Sequence, residues 1–428
     1  MKLFLKSLLI ITGIFVCSQL MAQQNKQIPI SKIPIKPKKN KTKDSTKVKK
    51  DTAVIYKDTG ALKKKGQQID VVDLYRSAFK VKHVDQTDSV TTKPSYSVVP
   101  AVGYTLVSKF TVVLGGNLVF KTGPVSRLST VVVSTSVTQR KQFTFFVESS
   151  IWSKNNDYNF VGDYRFYKYP QSTFGLGSSS DITHEDPMDY SYIRIYETVL
   201  RRITKNIYAG AGYIVDDHWN ITDKGYFNDY KPYGTPPHTT ASGFTLNASM
   251  DSRDNSINPV KGNWINLQYR DNFDFLGSTS SWSSLIVDVR KYVNFPEGSG
   301  NVLALWSFEW LTLTGKPGFL DLPSTQWDTY SATGRGYIQG RFRGADMVYA
   351  ESEYRYKILD NGLIGGVFFL NAESLSAAPG TRLQGIQPGY GPGLRIKLNK
   401  ITKTNICIDY GFGRQGSNGL FIDVGEIF

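Results

Sequence analysis

From Tyr96 to Phe428, apolar and polar residues alternate in runs of roughly 10–15 residues, rich in Val, Ile, Tyr, Phe and Thr and punctuated by turn residues. Alternation with period two sends successive side chains to opposite faces of an extended strand. Sixteen such runs are predicted, at 110–121, 127–138, 142–154, 156–169, 171–181, 189–203, 206–218, 241–252, 262–273, 281–293, 301–314, 345–357, 362–375, 387–399, 403–413 and 418–428. Tyr96 to Ser108 reads as an entry segment or as part of the first strand. The segment Asn418–Phe428 is strand-like and stops on an aromatic, as expected of a last strand that pairs with the first. Lipid offers no hydrogen-bond partner to a free strand edge, so such a sheet must close. The expected fold is all-β: a 16-stranded antiparallel transmembrane β-barrel over residues 96–428, an even number as in single-chain bacterial barrels.

The connections support this reading. With the first predicted strand running outward, the connections after even strands are the short ones, at 139–141, 170, 204–205, 253–261, 294–300, 358–361 and 400–402. Those after odd strands include the three longest, 219–240, 315–344 and 376–386. Short turns at one rim and long loops at the other are the asymmetry of a membrane barrel. Polarity sorts in the same way. Tyr349, Glu351, Glu353 and Arg355 share one face of their run, opposite Val348, Ala350, Tyr354 and Tyr356. Phe369, Asn371 and Glu373 oppose Phe368, Leu370 and Ala372, and Cys407, Asp409 and Gly411 oppose Ile406, Ile408, Tyr410 and Phe412. A polar lumen and an apolar exterior require this.

The N-terminal part has no such pattern. Residues 1–22 read as a secretory signal: Lys2 and Lys6, an apolar stretch from Leu8 to Val16, then Leu20-Met21-Ala22 as a cleavage site. Residues 23–95 form a lysine-rich periplasmic tail, predicted to be largely disordered, with one apolar run near Val71 to Phe79 that reads as a short helix. Between residues 23 and 66 stand 14 lysines against 3 aspartates, whereas residues 96–428 carry 31 basic and 29 acidic side chains. The formal charge of +15 therefore belongs to the tail, read as a solvated spacer or as an anchor for anionic surfaces. The nearly neutral body gives no case for nucleic-acid binding. Once the first 22 residues are set aside, Cys407 is the remaining cysteine, and it allows no intramolecular disulfide.

Three stretches are more specific than any periodicity. Asp251-Ser252-Arg253-Asp254-Asn255, continuing to Asn258-Pro259 and Gly262, falls on a predicted turn. Gly334-Arg335-Gly336-Tyr337, continuing to Gly340-Arg341-Phe342-Arg343-Gly344, falls in the longest loop. Glu351-Ser352-Glu353-Tyr354-Arg355-Tyr356 falls in the strand that follows. Together with Leu394-Arg395 and Ile408-Asp409-Tyr410-Gly411, these resemble the BamA/TamA superfamily of outer-membrane assembly and translocation barrels (the bacterial surface-antigen family). The resemblance implies that the loop carrying Gly334, Arg335, Gly336 and Tyr337 folds into the lumen and that Arg335 pairs with acidic groups on later strands. Glu351, Glu353 and Glu373 are the candidate partners. A buried guanidinium needs a fixed carboxylate, and a bidentate pair also orients the loop. At the position where that family carries Asp, this chain has Asn371. Members that assemble other barrels carry POTRA domains before the barrel, and residues 23–95 show no pattern for one. Asp251, Arg253 and Asp254 are expected to fix a tight turn through side-chain-to-backbone bonds.

Other chemistry is thin. Gly411-Phe412-Gly413-Arg414-Gln415-Gly416 matches a dinucleotide pattern but leads into another strand, leaving no helix N-terminus for a pyrophosphate. The four histidines, His83, His184, His218 and His238, lie far apart in tail or loop positions without metal-ligand spacing. Asp216-Asp217 reads as a solvated pair at a loop mouth. No nucleophile elbow or other catalytic constellation is seen, so an enzyme is not expected, nor a cofactor or metal. Two readings stay open: an assembly or translocation component whose partners are outer-membrane lipid, client outer-membrane proteins or envelope lipoproteins, or a non-translocating pore or binding barrel. Either places the chain in the outer membrane of a Gram-negative bacterium.

Overall fold

Period-two alternation produces seventeen strands: β1 (Ser95–Thr105), β2 (Lys109–Phe120), β3 (Ser129–Thr138), β4 (Phe143–Trp152), β5 (Tyr158–Lys168), β6 (Gln171–Thr173), β7 (Asp186–Arg202), β8 (Ile207–Asp223), β9 (His238–Asp251), β10 (Gly262–Asn272), β11 (Trp282–Asn294), β12 (Val302–Gly315), β13 (Asp346–Lys357), β14 (Ile364–Leu375), β15 (Gln387–Asn399), β16 (Thr404–Phe412) and β17 (Asn418–Val424). The computed structural model describes residues 68–78, 94–105, 109–226, 233, 236–329 and 331–428. The expected signal at 1–22 and most of the expected tail at 23–95 lie outside the described residues. Antiparallel ladders join each strand to the next, except that β7 pairs with β5 and with the three-residue β6. The result is one meandering sheet curled into a transmembrane β-barrel of sixteen spanning strands plus β6. β1 and β17 lie side by side, but among the described residues no hydrogen-bonded ladder joins them.

The count of sixteen matches the expectation through two compensating errors. The predicted strand at 171–181 does not span. After β6 the chain enters left-handed backbone at Gly175 and Gly177, buries Phe174 and hydrogen-bonds to another loop, Gly177 N to Arg343 O at 2.7 Å. The spanning strand missed at sequence level is β1, whose Pro100 pairs in register with Leu114 of β2. Proline removes a backbone donor and belongs on an edge strand, which β1 is. The seam therefore lies at β1/β17, and β2, which carries Val112, Leu114, Leu118 and Phe120 and matches the predicted first strand at 110–121, is covered by β1. The first strands also run opposite to expectation, so the connections at 139–141 and 170 lie at the rim of the long loops. From β7 onward the expected sidedness holds.

The faces follow the alternation. On β14, Phe368 and Leu370 are 58% and 57% exposed while Phe369, Asn371 and Glu373 are buried in the lumen. Leu370→Lys, mid-strand on the lipid face, is expected to destabilise the barrel by about 2–4 kcal/mol, read as a lower urea midpoint in lipid vesicles; an unchanged midpoint would mean that this face does not meet hydrocarbon. At the turn rim, helix α1 (Val71–Ala78) forms where the apolar run predicts it. Asp70 caps it by accepting from Asp73 N at 2.8 Å and ties it to the β15–β16 turn by accepting from Lys400 N at 2.9 Å.

Candidate functional site

The connection between β12 and β13 runs back into the barrel instead of standing off it. Its backbone can do so because Gly336 has φ +110°, and a Cβ there would lie 2.6 Å from the Phe412 carbonyl oxygen. Arg335 is thereby delivered, 1% exposed, to the inner wall. Its guanidinium bonds to Glu351 and Glu353 of β13 and to Asp409 of β16 at 2.5 Å, and lies 3.9 Å from the centroid of the Phe369 ring. Glu351 also accepts from the Tyr349 hydroxyl. Tyr337 donates its hydroxyl to Pro388 O at 2.6 Å and accepts from Arg414 N at 3.0 Å.

Of the three expected acidic partners, Glu351 and Glu353 meet Arg335 and Glu373 does not. Glu373 instead accepts from the Thr325 hydroxyl at 3.0 and 3.1 Å and lies against Gly334, where a Cβ would come 2.9 Å from its Oε1. Asn371 contributes differently from a carboxylate: its amide donates to the Arg335 backbone carbonyl at 3.0 Å. The partner missed at sequence level is Asp409, which lies 74 residues from Arg335 in the chain.

Asp409 opens a larger network. Arg395 of β15 shares it at 2.5 Å and reaches Glu426 at 2.9 Å, while Arg355 binds Glu353 at 2.6 Å and lies 3.7 Å from Glu426. Three guanidinium groups thus face four carboxylates, all buried. Glu426 is there because β17 ends at Val424 and the chain turns inward at Gly425, φ +127°. Phe428, expected on a closing strand, lies in the lumen with its ring 5.1 Å from Trp306 and 6.3 Å from Tyr292. Arg355 donates to its main-chain oxygen at 2.9 Å.

A second cluster grips the loop from the opposite wall. Asp216, expected to be solvated, is 1% exposed and bonds to Arg194 at 2.7 Å, Arg270 at 2.5 Å and the Tyr192 hydroxyl at 2.6 Å. Asp163 links Arg194 to Arg165, and Arg165 donates to the loop carbonyl of Thr329. His218 is on β8 rather than in a loop, stacked 4.5 Å from Tyr192. Among the described residues no group of side chains has the arrangement of a metal site.

Asp251, Arg253 and Asp254 sit together at the β9–β10 turn. Asp251 accepts from Arg253 N at 3.1 Å and pairs with its guanidinium at 3.0 Å. Asp254 accepts from Val260 N at 2.8 Å and Lys261 N at 3.1 Å. Between this turn, the loop and the seam lies a cavity of about 1130 Å³. Its β2–β4 wall presents Thr111, Val113, Ser134, Ser136, Thr144 and Ser150, with Glu148 as the carboxylate on that side.

The description "Omp85 superfamily domain" fits residues 129–413, well over half of the chain. The chain belongs to the Omp85 superfamily. Among solved structures it is similar to BamA from Haemophilus ducreyi lacking POTRA domains 1–3, at 11% identity and TM-score 0.51, over 78% of this chain and 70% of that one. It is also similar to CdiB from Escherichia coli, at 10% identity and TM-score 0.51, over 78% of this chain and 67% of that one. At such identities the likeness shows the fold. No curated protein matches the sequence. The protein is therefore an Omp85-family outer-membrane barrel, and the BamA/TamA resemblance carried by its motifs is upheld.

Proposed function

We propose that this Omp85 barrel is an assembly or translocation component of a Gram-negative outer membrane, acting on client outer-membrane proteins, with membrane lipid and envelope lipoproteins as its other partners. The observation that carries the reading is the pairing of an unladdered β1/β17 seam with a buried charge network that holds both the lumen loop, through Arg335, and the end of β17, through Glu426. Among the described residues this seam lacks the ladder hydrogen bonds that join its neighbouring strands, so it is where the wall opens most readily or thins the bilayer. The Gly334–Tyr337 segment acts as the latch, with Glu351 and Glu353 as its seats, and the turn rim faces the periplasm. In this role the tail upstream of residue 68 is a spacer or an anionic-surface anchor.

The loop argues against a wide-open pore, because it crosses the lumen and is bonded to both walls. The test is folding of an unfolded eight-stranded outer-membrane protein in proteoliposomes. Faster folding than in empty liposomes, with slower folding when Arg335 is replaced, is expected. No acceleration, combined with steady conductance in planar bilayers, would establish the passive-pore alternative instead.

A further inference from the structure

The turn built from Asp251, Arg253 and Asp254 reaches much further than a hairpin needs to. It joins β9 to β10, six spanning strands around the wall from the β15–β16 turn. With strands about 4.8 Å apart and tilted by about 40°, those two turns would stand roughly 30 Å from each other on an open cylinder. Yet the Asn258 side-chain amide donates to Lys403 O at 3.4 Å, and Lys403 Nζ lies 3.5 Å from Asp254 Oδ2. The turn is folded across the rim.

Its strength is distributed unevenly. At the base, Arg127 from the β2–β3 connection bonds to Asp251 O at 2.9 Å and to Asn206 at 3.2 Å, and its guanidinium lies 4.9 Å from the Trp152 ring centroid. Gly262 lets the two ends approach, since a Cβ there would lie 2.4 Å from Ser252 O. Within the turn, Asp254 and Asn255 bind four backbone N–H groups. At the tip there is one long amide bond and one ion pair whose partners are 43% and 24% exposed, a type of pair that water and salt weaken. A stiff arm with a partly buried, multiply bonded base and a weak, wetter tip is built to swing.

We propose that residues 252–261 form a floor across the turn-side mouth of the lumen, closed by the Lys403 contact and opened by its release. Arg253 to Ile257 line the cavity behind it, so the floor controls access to the β2–β4 wall from that side. This rests on reading the lumen as a passage, but its test reads access rather than client folding. A Ser134→Cys reporter, mid-way along β3 on the cavity wall, is placed in a Cys407→Ser background and reacted with a bulky polyethylene-glycol maleimide. Heat-modifiability in each variant verifies folding.

Lys403→Glu, which sets like charges against Asp254, is expected to speed labelling about tenfold, with Lys403→Ala intermediate and Lys403→Arg at the wild-type rate. High salt should speed the wild type and leave Lys403→Ala unchanged. Equal rates across the series, or a wild type already as fast as Lys403→Glu, would overturn the floor. If labelling responds while client folding is absent, the floor stands and the assembly reading falls.

Discussion

Arg335→Ala is expected to lower the stability of the barrel by about 3–5 kcal/mol, because removing one partner of a buried ionic cluster leaves the others uncompensated. The wild-type network balances three guanidinium groups against Glu351, Glu353, Asp409 and Glu426. Without Arg335, Glu351 keeps only the Tyr349 hydroxyl in this network, and Arg355 and Arg395 must serve three carboxylates. The urea midpoint in vesicles and the temperature of the heat-modifiable gel shift should both fall. Arg335→Lys should recover only part of the loss, since one ammonium cannot reproduce a planar fork that reaches Glu351, Glu353 and Asp409 and lies over Phe369. The double variant Arg335→Met with Glu351→Gln removes one charge of each sign and should be more stable than Arg335→Ala. Equal stability of Arg335→Ala and wild type would show that the latch does not hold the loop.

The same network explains which parts of the site the sequence reveals. Glu351 and Glu353 are legible because they share a face of one strand, a short distance after the loop that carries Arg335. Asp409 and Arg395 belong to the short motifs Ile408–Gly411 and Leu394-Arg395, but nothing local says that β15 and β16 lie beside the loop's landing point. Glu426 is hidden further, because its role depends on the inward turn at Gly425. Asp163, Arg194, Asp216 and Arg270 come from four strands, β5, β7, β8 and β10, and no motif links them. Only the sheet register, Arg194 opposite Asp216 for example, brings them together.

Strand assignment fails for a related reason. Gln171 to Asp181 has the Ser, Thr and Phe content of a strand, but its glycines adopt left-handed backbone, and bonds to Arg343 and Gly385 turn it into a loop. Tertiary partners decide there, not local pattern. Ser95 to Thr105 has the opposite problem: Pro100 and Gly103 dilute its pattern, yet an edge position tolerates them. Because one strand was gained and one lost, the orientation of every element from β7 to β17 was still legible.

The end of β17 provides the sharpest test of the link between latch and seam. Phe428 sits among Trp306 of β12, Tyr292 of β11 and the Arg355 guanidinium, 5.2 Å from its ring centroid. A buried Phe→Ala change costs about 3–5 kcal/mol when the surroundings cannot adjust. Here a short tail can detach instead, so the global loss is expected to be smaller and the local loss concentrated at the seam. With Phe428→Ala, Glu426 should leave Arg395, and β17 should lose its inward anchor while keeping its ladder to β16. Amide hydrogen exchange over Asn418–Val424 is then expected to accelerate strongly, with β7 to β9 unchanged, because local opening tracks local anchoring. Arg355→Ala should reproduce that pattern, as it removes both the bond to the Phe428 main-chain oxygen and the approach to Glu426. If β17 exchanges at the wild-type rate in both variants, the tail is a passenger in the lumen, and the charge network governs the loop without reaching the seam.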